Sequence, residues 1–328
     1  MQRTYTSLSQ DIERKHQSVK ESVNDSQRKR DWLRHLSSVV ESVYPGRMKL
    51  VLVGSSVTGF AAKGSDCDMC LLKKSFSGYE SKIEVLRNIE RKAKAESYRL
   101  QTELVSGAVV PIVILQDRSR DLEGDISYEN TNTVFNTFLM RCYGELDSRV
   151  KPLVIVIKAW AQSARITNAR DHKLSGFALV LLVIHYLQVG CSPPVLPSLQ
   201  QDPQFHGFFS ESSALKVAEH LENEYTPPPV SLYSSRSSAS IGELLVGFFR
   251  YYSSFNWARV LSVRTAGFLP LPYNKKWRNP EIRIEDPTDR TNVARSVYRL
   301  YPFQEIKVAI ERAYNRLDRI GAELNDIM

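Results

Sequence analysis

The stretch V-L-V-G-S-S-V-T-G-F-A-A-K-G-S-D-C-D-M-C-L-L, residues 51–72, decides the fold. The apolar run Leu50–Val53 reads as a buried strand. It ends at Gly54-Ser55, the residue types a tight turn into a helix start wants. Asp66-Cys67-Asp68 follows, and then apolar Met69 to Leu72. On a strand, side chains alternate between faces, so Asp66 and Asp68 point one way and Cys67 and Met69 the other. A solvated strand end would explain Asp-x-Asp alone. It does not explain the ordered set of strand, Gly-Ser, spacer, Asp-x-Asp and strand. Two neighbouring carboxylates repel unless a cation lies between them, and a hard divalent ion with oxygen ligands suits the pair. The backbone N–H groups and hydroxyl of Gly54 and Ser55 are suited to phosphate.

Composition bounds the rest. A chain of 328 residues is long enough for two domains and a sizeable core. With 42% hydrophobic and 24% charged residues it reads as an ordinary globular protein. The four cysteines, at 67, 70, 142 and 191, are too few for a disulfide framework and point to a reducing, cytoplasmic compartment. Cys67 and Cys70 have the spacing of a metal pair but no second pair, so they read as core residues. The longest apolar run, Phe177 to Leu187, is too short to span a bilayer, and the polar N-terminus lacks the apolar segment of a signal peptide. A net charge of +8 favours a polyanionic partner.

Periodicity predicts helix over residues 6–44, ended by Pro45-Gly46. Arg28-Lys29-Arg30 on it reads as a solvated face, with RNA-backbone contact as the alternative. A helix over 79–95 comes next, then strands over 98–105 and 109–115 joined by a Ser106-Gly107 turn, and a short strand over 125–128. Helices are predicted over 134–146, 150–165, 174–188, 211–222, 241–255 and 301–318, with strand-like pieces at 259–263 and 282–285. The Pro- and Ser-rich region 190–240 reads mostly as loop. The expectation is an α/β plus α protein. A small mixed-sheet domain at 46–148 joins a larger helical domain at 149–328, and an N-terminal segment, 1–45, packs on the helical part. Asp117, Asp121 and Asp125 are candidates for a third carboxylate. Asp117 and Asp121 fall in what reads as an exposed loop, and Asp125 opens a strand, so Asp125 is chosen.

The ordered set at 51–72 resembles the signature of the DNA polymerase beta-like nucleotidyltransferases. V-P-I-V at 110–113, D-I-S at 125–127, N-T-F-L at 136–139, K-P-L-V-I-V-I-K-A-W at 151–160, L-S-G-F-A-L at 174–179, P-S-L-Q at 197–200 and E-D-P-T-D-R-T-N-V-A-R at 285–295 continue it. Together they resemble the noncanonical poly(A)/poly(U) polymerases, and within them the cytoplasmic poly(A) polymerases of the germline-development type. That resemblance implies Asp66, Asp68 and Asp125 as a triad for Mg²⁺ or Mn²⁺, and Gly54 and Ser55 at the triphosphate. It implies Asn136 and Thr137 at the ribose, Lys158 at the phosphates and Phe177 stacked on the base. Asp286, Asp289 and Asn292 would line the base pocket. ATP would be the substrate, an RNA 3′ end the acceptor, and a separate RNA-binding protein subunit the partner in a heterodimer. The sequence departs from relatives at Gln162, where a second lysine is common, and at Gly176-Phe177, where Ser-Tyr is common. Uridine-preferring relatives carry histidine before the asparagine that matches Asn292, and here Thr291 stands there, which favours ATP. The sequence carries no RNP aromatic motif, KH-type G-x-x-G pattern or zinc-finger spacing.

Overall fold

The computed structural model describes residues 5–74, 80–97, 99–223, 233–272 and 275–328. The predicted N-terminal helix is two helices, α1 (Thr6–Val19) and α2 (Val23–Val43). The break is a capping box: the Ser22 hydroxyl accepts from the Asp25 N–H while the Asp25 carboxylate reaches back to Ser22. Then follow β1 (Met48–Leu52), the single-turn α3 (Ser55–Thr58), β2 (Cys67–Lys73), α4 (Lys82–Glu96), β3 (Leu100–Val105), β4 (Ile112–Asp117), β5 (Leu122–Tyr128) and α5 (Thr131–Leu146). The predicted starts of α4 and β3, Tyr79 and Tyr98, lie outside the described residues. The rest comprises α6 (Val150–Ser163), α7 (Gly176–His185), α8 (Ala214–Glu222), α9 (Ile241–Ser253), β6 (Val260–Ser262), β7 (Gly267–Leu269), α10 (Lys275–Arg278) and α11 (Leu300–Leu317). Part of the Pro/Ser-rich loop, 224–232, lies outside the described residues.

The chain forms two compact units. One comprises Lys20–Cys142 and Gly207–Pro229, the other Met1–Val19, Tyr143–His206 and Val230–Met328. Thus α1 belongs to the helical unit, where it packs on α6 and α9, whereas α2 belongs to the sheet unit and packs on β1 and α4. The segment 1–45, expected as one piece on the helical part, is therefore divided between Val19 and Lys20.

The sheet unit has a five-stranded mixed sheet in the order β1-β2-β5-β4-β3. Only the β2–β5 pairing is parallel. One face of the sheet is apolar. Cys67, Met69 and Leu71 of β2, with Leu122, Ile126 and Tyr128 of β5, bury against Trp32, Leu36 and Val39 of α2 and Val85, Leu86 and Ile89 of α4. Strand alternation then places Asp68 and Asp125 on the other face. The stretch 116–124, read as an exposed loop, is instead the end of β4, a tight turn and the start of β5. Asp117 is buried there, its carboxylate accepting from Ser119 and Arg120. The helical unit is built around α6, α7 and α9, whose buried residues include Trp160, Leu181, Phe248 and Tyr252.

Trp32 is fully buried between the sheet and its covering helices. Trp32→Ala should therefore cost about 3–5 kcal/mol of stability, read as a lower denaturant midpoint with an unchanged slope.

Candidate active site on the sheet unit

The parallel pairing of β2 and β5 creates the central feature of this unit. Asp68 is the register partner of Asp125, one position on from Cys67 and Gly124. Register partners on neighbouring strands project side by side from the same face. Both aspartates are half-buried. The Asp125 carboxyl is pushed up to about 7, first by burial and then by the charges of Asp68 and Asp66. Gly124 makes the close pairing possible, since a Cβ there would strike the backbone carbonyl of Cys67. Asp66 lies one residue ahead of β2 and is exposed. Among the described residues no three Asp, Glu, His or Cys side chains form a ready-made ion cage. The arrangement is a facing pair with a third acid beside its mouth.

The Gly-Ser turn rises directly over this pair. Gly54 has φ +69° and caps α3. A Cβ at Gly54 would collide with the Asp68 carboxylate, so glycine serves both the left-handed backbone and the close approach. The Gly54 N–H, expected to face phosphate, instead donates to Thr137 Oγ at 2.9 Å. That hydroxyl donates in turn to the Thr133 carbonyl at 2.7 Å. Thr137, expected at the ribose, is buried, and its hydroxyl ties the turn to α5. Asn136 is buried beside it. Ser55 is half-buried at the first position of α3.

Donor chemistry and electrostatics both fit divalent cations. The acids are oxygen ligands, and burial, followed by the charges of Asp68 and Asp66, makes an ionised Asp125 unfavourable, a condition that a cation would relieve. Asp117 and Asp121 are excluded as partners. Asp117 is closed into its own turn, and Asp121 sits in that turn at φ +52°. Cys67 and Cys70 are buried free thiols pushed up to about 12 and about 11, chiefly by burial, which makes them core residues rather than ligands.

The remaining candidates lie in the helical unit. Lys158 is a half-buried residue of the largely apolar α6, and Phe177 is half-buried in the first turn of α7, just after the Ser175 cap. The segment 285–292 is tightly folded on itself. Asp286 accepts from the Thr288 N–H and hydroxyl, and Asp289 from those of Thr291. Asn292 is buried, its Oδ1 accepting from the Ile284 and Ala294 N–H groups and its Nδ2 donating to the Ile282 carbonyl. Asp286 and Asn292, expected to line a base pocket together with Asp289, also hold the segment's backbone in shape, and Asp289 and Thr291 are exposed. Beneath them Glu285 is buried and bound by Ser262 Oγ and by both sides of the Arg264 guanidinium, at 2.5, 3.2 and 2.8 Å. Nothing in the linear pattern singled out Arg264, because its partner lies on a distant segment.

Two family models match this chain. Residues 8–145 match the central palm domain of mitochondrial-like poly(A) RNA polymerase, and residues 240–292 match the Cid1 family of poly A polymerases. Both matches are to poly(A) polymerase models, and the chain has the nucleotidyltransferase fold of the Cid1 structures. It is similar to Poly(A) RNA polymerase GLD2 of Rattus norvegicus, at 36% identity over 98% of this chain and 66% of the relative. GLD2 of Homo sapiens is 35% identical over the same shares. The chain thus spans just under two thirds of the length of these relatives. Among solved structures it resembles the Cid1 poly(U) polymerase with MgGTP bound, at a TM-score of 0.83, 25% identity and 99% of both chains. A histidine-to-asparagine variant of that polymerase bound to MgATP matches with a TM-score of 0.81, 25% identity, and 97% and 96% of the chains.

The facing carboxylates have a measurable signature. The folded protein binds the Asp125 proton more tightly than the unfolded chain, whose value is 3.8. The associated stability is therefore full below about pH 4 and lost as pH rises toward about 7. In EDTA, the Tm of the wild type relative to Asp125→Asn should fall across that window, and added Mn²⁺ should restore the wild type selectively. A difference that stays flat with pH would remove Asp125 from the acid cluster.

Proposed function

We propose that this chain is a template-independent RNA nucleotidyltransferase that adds AMP from ATP to RNA 3′ ends. The observation that carries the reading is the in-register pair Asp68–Asp125 under the Gly54 turn. It occurs in a chain whose curated relatives are poly(A) RNA polymerases. The RNA 3′-hydroxyl attacks the α-phosphorus of ATP, the bond to the β-phosphate breaks, and pyrophosphate leaves. Asp66, Asp68 and Asp125 would hold Mg²⁺ or Mn²⁺. When bound, such ions neutralise the triphosphate and lower the pKa of the attacking hydroxyl. The chain contributes position and field: Thr137 and Gly54 fix the turn over the acids, and the register of β2 and β5 fixes the acids themselves. Gly54 and Ser55 are assigned to the triphosphate through their place over Asp68, and Asn136 to the ribose. In the helical unit, Lys158 is assigned to phosphate and Phe177 to the base.

ATP is favoured over UTP by Thr291. Its side chain is small, exposed and folded back onto Asp289, where uridine-preferring relatives have histidine. Solved structures of the Cid1 poly(U) polymerase are described as revealing the mechanism of UTP selectivity, and they include the histidine-to-asparagine variant with MgATP. Among the described residues no helix is long and apolar enough to cross a membrane. We assign the protein to the cytoplasm on its four free thiols. A net charge of +8 supports RNA-backbone attraction that is weak in salt and blind to sequence, so a separate RNA-binding subunit supplies target choice.

Extension of an oligo(A) primer with each single NTP tests the reading. ATP should be the preferred substrate. Asp68→Ala should lower the rate by at least about 10²-fold while circular dichroism stays unchanged, and normal tailing by this variant would take Asp68 out of the site. Thr291→His should move the ATP-to-UTP preference toward UTP by roughly tenfold, and an unmoved ratio would sink the assigned role of Thr291.

A further inference from the structure

Lys29, in the middle of the basic triplet of α2, is not on a solvated face: it is 2% exposed. Its ammonium group lies behind the acid pocket and joins segments remote in sequence. Nζ donates to Ser56 Oγ at 2.9 Å, Ser65 Oγ at 3.1 Å and the Asp66 carbonyl at 3.1 Å, and it pairs with Glu21 Oε1 at 2.6 Å. Ser56 Oγ also donates to the Asp66 carbonyl at 3.3 Å. Ser56 belongs to α3, the turn after Gly54, while Ser65 and Asp66 lead into β2. The residues before α2 hold the same connection from its other side: the Glu21 N–H donates to the Ala61 carbonyl, and Lys20 bridges Ala62.

We propose that Lys29, balanced by Glu21, is a positioning residue that sets the distance between the Gly-Ser turn and the first acid of the metal pair. The inference rests on the nucleotidyltransferase reading above. A lysine ammonium suits the task because its three donors can grip two hydroxyls and a carbonyl at once. The acid strand is fixed through β5, and the Gly-Ser turn through Thr137. The connection between them, residues 59–66, has no strand or helix of its own, so the buried ammonium is the tie that closes it. The ammonium of Lys29 engages Ser56, Ser65, the Asp66 carbonyl and Glu21, so it acts through Ser56 and Asp66. Glu21 keeps the ammonium neutralised where water does not reach it.

The test separates this role from plain scaffolding. Lys29→Met alone leaves Glu21 buried without its partner and should lower the Tm. The double variant Glu21→Gln/Lys29→Met removes both charges and should recover most of that loss. Mn²⁺ binding, followed by EPR without nucleotide or RNA, should nevertheless be at least about tenfold weaker in the double variant. Its kcat for AMP transfer should fall more than its KM for ATP rises. Ser56→Ala, which deletes one hydroxyl of the grip and no charge, should weaken Mn²⁺ in the same direction, and it serves if the double variant does not fold. Wild-type Mn²⁺ affinity and kcat in the double variant, or in Ser56→Ala, would overturn the proposal. If the wild type binds Mn²⁺ but tails no primer with any NTP, the functional reading falls and the Mn²⁺ comparison still decides the role of Lys29.

Discussion

Two carboxylates held side by side on adjacent parallel strands are the constraint on which the sheet unit depends. Left to themselves, Asp68 and Asp125 repel, and burial makes the repulsion worse, as the raised proton affinity of Asp125 records. Such a pair persists only where the surrounding structure over-determines it. Here the over-determination is the apolar face of the same two strands. Cys67, Met69 and Leu71 on β2 and Ile126 and Tyr128 on β5 are locked beneath α2 and α4. A register slip that would separate the acids would also move this apolar set to the other face. The hydrophobic core thus stabilises an arrangement that is locally unfavourable, and a divalent cation is the natural complement to it.

The neighbours of the pair are chosen for size and for hydrogen bonding rather than for charge. Gly124 lets β5 approach β2, and Gly54 lets the turn pass over Asp68. Thr137 fixes that turn from α5. The buried ammonium of Lys29 ties the turn's helix to the strand that carries the acids. In the helical unit the same economy holds for the segment 285–292, where Asp286, Asp289 and Asn292 act on their own backbone and the Glu285–Arg264 pair anchors it from below. A segment fixed in this way holds Thr291 in a defined place.

Much of this was legible before any coordinates. The strand, Gly-Ser turn and Asp-x-Asp order is local, and the alternation of Asp66-Cys67-Asp68-Met69 divides the acid side from the core side without knowledge of neighbouring strands. Asp125 reads as opening a short strand just before a helix, and its parallel pairing with β2 puts it beside Asp68. Two errors had local causes. The Ser22–Asp25 capping box was present in the sequence but was overridden by the continuous apolar spacing across 6–44. The polarity of 116–124 hid a tight turn whose aspartate is buried by its own neighbours.

The sequence by itself determined most of the elements, the Asp66-x-Asp68 motif and the family resemblance, because each depends on contacts a few residues apart or on motifs in fixed order. Only the tertiary structure decided which polar side chains are struts. Lys29 looked like one third of a solvated basic patch and is instead buried with its ammonium engaged inside the protein. Thr137 and Asn292, expected near the nucleotide, are buried with polar atoms bound to remote or neighbouring backbone. A charge or hydroxyl in a linear sequence carries no record of whether water or a distant backbone atom will satisfy it, and that choice is made only when remote segments close around it.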